Sequence, residues 1–155
     1  MGAYAANTEV GSERTKLEIE RTLVRFGARR FQYGWDEHEA VIMFELQNRR
    51  VLFRLTMPDR QGRDVKYTPA RGQLRSQAAQ EEAYEQLIRQ RWRVLALGIK
   101  AKLAMVESGI TSFEKEFLAH VVLPDGSTVG DWAAPAIAEA YERGSVPALT
   151  AGGAR

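Results

Sequence analysis

Few residues in this chain could move a proton or hold a metal. His120 follows Glu116 by four positions, so on a helix the two share a face. A carboxylate–imidazole pair can act as a general base or belong to a metal site, and the same pair also makes ordinary structural hydrogen bonds. His38 stands in the run Asp36-Glu37-His38-Glu39, whose donors suit a divalent cation and equally make a solvated turn. The chain has no cysteine, which excludes disulfides, thiolate metal sites and a cysteine nucleophile. The strings G-x-S-x-G, G-x-x-x-x-G-K-[ST], H-E-x-x-H and G-x-G-x-x-G are absent. The reading is a non-enzymatic protein with no catalytic residue, no metal site and no cofactor.

Anion recognition has better material. Arginine suits planar, bidentate contacts to phosphate or carboxylate, and arginines recur in three places. Arg49, Arg50 and Arg54 lie in and before RVLFRLTM. Arg60, Arg63, Lys66, Arg71 and Arg75, with Tyr67 among them, occupy the polar stretch 58–75. Arg89, Arg91 and Arg93 surround Trp92 in RQRWRVLALGIKAKL, which continues to Lys100 and Lys102. Exposed arginines on a sheet beside a basic loop with an aromatic would make a track for a phosphate backbone. Residues 1–105 carry 19 Lys+Arg against 13 Asp+Glu, and residues 106–155 carry 3 against 7, so a net charge of +2 conceals a basic part and an acidic part.

Helical arithmetic sorts the segment around Trp92. At 100° per residue, Ile88, Trp92, Leu95, Ile99, Leu103 and Val106 fall within about −60° to +20° of Trp92, the natural packing face for a sheet. A second apolar group, Leu87, Val94, Leu97, Ala101 and Met105, clusters near 140–220°, on roughly the opposite side. A helix apolar on two faces is sandwiched between layers or covered by a partner; here the cover is either the C-terminal part of the chain or another subunit. Arg89, Arg93 and Lys100 then line up at about 60–100° as one ridge, with Arg91 and Lys102 on the far flank. Trp92 belongs to the core, and the ridge is an anion-binding candidate unless it is a solvated edge pairing with Glu85.

The elements that must position these residues follow from patterning. Ser12 and Glu13 start a helix over about 12–26, with Ile19, Leu23 and Phe26 on one stripe and Gly27 as a stop. Phe31, Tyr33 and Trp35 alternate on one side of a strand; they belong to the core, or stack on bases if they face outward. DEHE (36–39) turns into AVIMFEL, and Gln47-Asn48-Arg49 turns into RVLFRLTM with Val51, Phe53 and Leu55 on one face. Three short strands with tight links make an antiparallel meander. The loop 58–75 leads to a long helix from about Ser76 to Ser108, closed by Gly109. Thr111 and Glu114 have capping-box spacing for a short helix through about Ala119. VVLPDGSTV predicts a small hairpin. A last helix covers roughly 131–143 with Trp132, Ile137 and Tyr141 inward. The expected fold is α+β: an N-terminal helix, the meander, the long helix packed on the sheet and a small C-terminal helical part with a hairpin.

A length of 155 residues suits one domain, expected over 12–144, between an N-terminal tail at 1–11 and a C-terminal tail at 145–155. No apolar run is long enough to span a bilayer, and MGAYAANTEV lacks the pattern of a signal peptide. The expectation is a cytoplasmic protein with no membrane contact.

The strings YAANTEV, EIERTL, FGARRFQYGW, QRWRVLALGIKAKL and FLAHVVLPDGSTVG resemble a family of small hypothetical proteins of phages and prophages. The resemblance spans nearly the whole chain and implies a phage gene product in a bacterial host cytoplasm, with no assigned catalytic residues. The order helix, three antiparallel strands, helix is also similar to the double-stranded-RNA-binding domain. That family's second helix opens with a basic cluster, whereas here it opens with the acidic SQAAQEEAYEQ, so this likeness implies fold alone. The functional expectation is a nucleic-acid-binding accessory protein of phage origin, a homo-oligomer contacting phosphate through Arg49, Arg50, Arg54, Arg60, Arg63, Lys66, Arg89, Arg93 and Lys100. Two alternatives stand beside it: an oligomeric binder that sequesters a small anionic ligand such as a nucleotide, and an interaction protein that inhibits a host enzyme.

Overall fold

Residues 29–56 form a three-stranded sheet. Strand β1 (Arg29–Trp35), β2 (Glu39–Leu46) and β3 (Arg49–Thr56) pair antiparallel in the order β1-β2-β3. The β2–β3 link is a two-residue turn in which Gln47 and Asn48 both take positive φ (49° and 59°), the twist that tight hairpins need. Between Arg29 and Gln32 the β1–β2 register slips by a bulge, with Arg30 at φ 56°. A bulge of this kind kinks an edge strand. The computed structural model describes residues 2–146, with side chains from residue 12 onward; most of the expected C-terminal tail lies outside the described residues.

One face of the sheet is buried under two helices, α1 (Gly2–Arg25) and α3 (Gln77–Glu107). Ile42, Phe44, Val51 and Phe53 from the sheet meet Ile19 and Leu23 of α1 and Trp92, Ile99 and Leu103 of α3 in one core. Trp92 is 3 % exposed, and Ile88, Leu95 and Val106 pack against the same cluster, so the expected stripe of the long helix is the packing face. Among the described residues, no helix lies on the other face of the sheet. Its residues, Val41, Met43 and Leu52 among them, alternate with the buried positions and remain half-exposed.

The long helix keeps its expected limits, with Ser76 accepting the Ala79 amide at its start and Gly109 at φ 77° just past its end. The first helix does not begin at Ser12: it runs from Gly2, and Ser12 is buried inside it. Gly11 costs about 1 kcal/mol in a helix interior, which the alanine-bearing AYAANTEV before it is suited to outweigh. Among the first-strand aromatics, Phe31 stacks on Phe44 at 6.1 Å and joins the core margin. Tyr33 and Trp35 pair with Ile42 and Ala40, which places them on the core side of the sheet. Tyr33 is only partly covered there and Trp35 is 73 % exposed at the strand's end.

The segment 58–75 is a folded loop. A single helical turn, α2 (Arg63–Lys66), buries Val65, and Tyr67 bridges to Leu74. After α3 comes α4 (Phe113–Glu116), capped by Ser112, whose hydroxyl accepts the Lys115 amide, and not by Thr111. A 3-10 turn, Leu118–His120, follows. Val121 bridges to Val51, and the PDG turn closes with a Val122–Thr128 bridge, a minimal version of the expected hairpin.

Helix α5 (Val129–Arg143) opens on a capping box formed by Thr128 and Asp131. Here the structure corrects the sequence reading. Trp132, Ile137 and Tyr141 do not point inward; they are 58 %, 55 % and 87 % exposed, and α5 buries no residue at all. Among the described elements its substantial neighbour is the Leu118–His120 turn. The approach there is close: a Cβ on Gly130 would lie 2.9 Å from the Ala119 carbonyl oxygen.

Candidate anion-binding groove

The two histidines separate from the roles their neighbours suggest. Helix α4 ends at Glu116, so Glu116 and His120 do not share a helical face. The Glu116 carboxylate takes the Lys102 ammonium at 3.0 Å, while the His120 ring stacks on Phe53 at 4.1 Å. Burial, then the Lys102 charge, hold the His120 pKa below its usual value, against a backbone contact at Leu52. In the 36–39 turn the Asp36 carboxylate accepts the His38 and Glu39 amides at 2.7 and 2.8 Å, and these bonds lower its pKa. Among the described residues no three histidine or acidic side chains gather where they could share a metal ion.

The cationic residues named from the sequence fall on three surfaces. Arg50 and Arg54 project from the helix-free face of the sheet, since Val51 and Phe53 between them are buried. Carboxylates of β2 offset them there: Arg54 pairs with Glu39 at 3.4 Å, Arg50 lies across the ladder from Glu45, and Arg30 holds Glu45 at 2.9 Å. Arg49 pairs with Glu114. The second surface is the 58–75 loop. Arg60 donates two hydrogen bonds to Glu81, at 2.7 and 2.9 Å, and lies 3.9 Å over the Tyr84 ring. Arg60 therefore pins the loop to α3, whereas Arg63, Lys66, Arg71 and Arg75 make no ion pair among the described residues. Tyr84 lies about 140–180° around α3 from Arg89 and Arg93, so the loop and the ridge flank different sides.

The third surface gathers most charge. Arg14, Glu18, Arg21 and Arg25 are spaced i, i+4, i+7 and i+11, which places them within about 60° of one another on α1. They face the Arg89/Arg93/Lys100 ridge of α3. The space between is a groove of two adjoining depressions. One, of about 390 Å³, is lined by Arg14, Glu18, Arg21, Arg25 and Lys100 together with Leu17 and Thr22. The other, of about 370 Å³, is lined by Arg14, Thr15, Glu18, Arg89 and Arg93. Glu18 is the carboxylate common to both. It is hydrogen-bonded to Lys100 and lies 3.7 Å from Arg93, and these contacts, the Lys100 hydrogen bond first, lower its pKa. Arg89 reaches Glu85 at 3.7 Å, the pairing expected if this part of the ridge is a solvated edge, the alternative to anion binding.

Six cations (Arg14, Arg21, Arg25, Arg89, Arg93 and Lys100) thus face two carboxylates, Glu18 and Glu85. On each helix they span eleven positions, a length of about 16 Å. The ridge was legible in the sequence. The α1 arginines were not singled out, although their 7- and 4-residue spacing marks one helical face. Compared with protein-family models, with curated proteins and with solved structures, the chain matches none.

Proposed function

We propose that this protein binds nucleic acid through its phosphate backbone, along the groove between α1 and α3, without catalysing a reaction on it. One observation carries the reading: a surplus of about four positive charges lines a groove of about 16 Å between two packed helices, a shape and charge that suit successive phosphates of one strand. The sheet face is a weaker candidate, because Glu39 and Glu45 offset its arginines. Contacts of this kind fix a strand by charge and carry no base code. The resemblance to phage and prophage proteins supports a bacterial cytoplasm as the setting.

Fluorescence anisotropy with labelled single- and double-stranded oligonucleotides tests the proposal. Neutralising about four phosphates predicts a log–log dependence of the binding constant on salt with slope about −3 to −4. Arg14→Glu combined with Arg93→Glu abolishes binding, and Arg50→Glu combined with Arg54→Glu leaves it unchanged. Absence of binding at low ionic strength, or sensitivity confined to the sheet pair, overturns it. A second reading, a small anion such as a nucleotide, is favoured by the size of the two depressions, within the range of ligand sites. A saturable thermal shift with nucleotides, without polymer binding, decides for that reading.

A further inference from the structure

The outward side of α3 is apolar, and none of the described residues lies on it. Val94 and Leu97 are 67 % and 59 % exposed, and Ala101 and Met105 continue the same stripe. The stripe occupies about 140–220° around the helix from Trp92, and Arg93 and Lys100 border it at about 80–100°. The sequence pattern asks for a cover from the C-terminal part or from another subunit. Helix α5 does not supply that cover, because it docks on the Leu118–His120 turn instead.

Helix α5 carries a matching surface. Taking Trp132 as zero, Ile137, Tyr141, Ala134 and Ala138 form an exposed apolar arc at about 140–240°, bordered at about 260–280° by Asp131 and Glu142. Each arc is about 100° wide or less. The α3 stripe has basic borders, Arg93 and Lys100 on one side and Arg91 and Lys102 at about 260–280° on the other, and the α5 arc has an acidic border on one side. Alanines on both sides permit close approach of two helices. Among the described residues, α5 has little to pack on besides the Leu118–His120 turn, and the α3 stripe has nothing over it. The opposite borders select one for the other, as charge complementarity does at protein interfaces.

We infer that the protein self-associates, with α5 of one copy seated along the outward stripe of α3 of another, Tyr141 and Ile137 meeting Val94 and Leu97. Reciprocal packing, each α5 on the other copy's α3, closes an isologous pair, whereas one-way packing is heterologous and propagates. The stripe's basic border shares Arg93 and Lys100 with the proposed polyanion groove, but the test contains no nucleic acid, so the two readings fail separately.

Sedimentation velocity on the full chain at high micromolar concentration provides the test. The wild type sediments as an oligomer. Leu97→Asp and Tyr141→Asp each weaken association about tenfold or more while leaving the circular dichroism spectrum unchanged, as expected for side chains exposed within the chain. Mixing the two variants restores association, because the intact α5 of the Leu97→Asp chain meets the intact stripe of the Tyr141→Asp chain. Val94→Asp and Ile137→Asp form a second pair if either variant folds poorly. A monomeric wild type overturns the inference. So does an oligomer that Leu97→Asp dissociates and Tyr141→Asp does not, which indicates a contact between two α3 stripes, or a mixture that fails to reassociate, which shows that α5 and the stripe do not meet each other.

Discussion

The Glu18 carboxylate of α1 and the Lys100 ammonium of α3 are hydrogen-bonded across the groove, 82 positions apart in sequence, and Arg93 reaches the same carboxylate at 3.7 Å. One acid therefore holds two cations of the ridge in place while subtracting from the charge they present. Removing it separates these two effects. Glu18→Gln is expected to strengthen oligonucleotide binding about threefold to tenfold at low salt, through one more uncompensated positive charge. The cost in stability is below about 1 kcal/mol, because both partners are well exposed to solvent. Anisotropy titration beside urea denaturation checks both; weaker binding in Glu18→Gln contradicts the electrostatic account of the groove.

The two tryptophans on helices make a contrasting pair. Trp92 is 3 % exposed with Lys16 stationed 5.1 Å from its ring, whereas Trp132 is 58 % exposed on α5. Trp92→Ala is expected to cost about 3–5 kcal/mol, the range for truncating a buried aromatic. Trp132→Ala should change the stability of the isolated chain by less than about 0.5 kcal/mol. Chemical denaturation of the two variants measures the difference.

How far such features can be read from sequence depends on what the pattern reports. Periodicity reports which side of an element is apolar, so the Trp92 stripe, the Val51/Phe53 face and the order of the elements were all legible. It does not report whether the same chain supplies the cover, which is why Tyr141 and Ile137 read as inward and lie outward. Pairings between distant elements, Glu18 with Lys100 or Arg60 with Glu81, depend on how helices and loops pack and leave no local trace. The Glu116–His120 spacing misled for a local reason: α4 stops at Glu116, and the tighter 3-10 turn sends His120 to Phe53 while Lys102 takes the carboxylate.

Acid should weaken the fold through His120. Its folded pKa lies below the ordinary value of 6.5, with burial as the main cause and Lys102 as the second. A base with a depressed folded pKa binds its proton more readily when unfolded. The contribution to stability is therefore complete above pH about 6.5 and is lost as pH falls through the lower folded value. Thermal melting between pH 7.5 and 5 should show a drop in Tm that His120→Gln largely removes. The carboxylates Glu18, Asp36 and Asp125, whose pKa values are lowered, add losses only at more acid pH, below the ordinary carboxylate range.

Arg60 is the expected hinge-pin of the basic loop. Its two bonds to Glu81 and its position over Tyr84 join residues 58–75 to the start of α3, and the Glu81 hydrogen bond raises its pKa. Arg60→Gln keeps a donor but loses the paired geometry and the ring contact. Limited trypsinolysis should then cut faster after Arg63, Lys66 or Arg71 than in the wild type, with little change in global stability.

Gly130 tests how α5 is held. A Cβ there would stand 2.9 Å from the Ala119 carbonyl oxygen and 3.4 Å from its Cβ, and the first of these is backbone that cannot swing aside. Gly130→Ala must therefore push α5 away from the Leu118–His120 turn, which is its main attachment. Overpacking of this kind costs about 1–3 kcal/mol where the neighbours are rigid. Since the core of Ile42, Phe44, Trp92 and Phe117 lies elsewhere, the loss should fall on α5 alone. Hydrogen exchange should show faster opening of 129–143 with protection of α3 and the sheet unchanged. Uniform loss of protection across the chain would mean instead that α5 is integral to the folded unit.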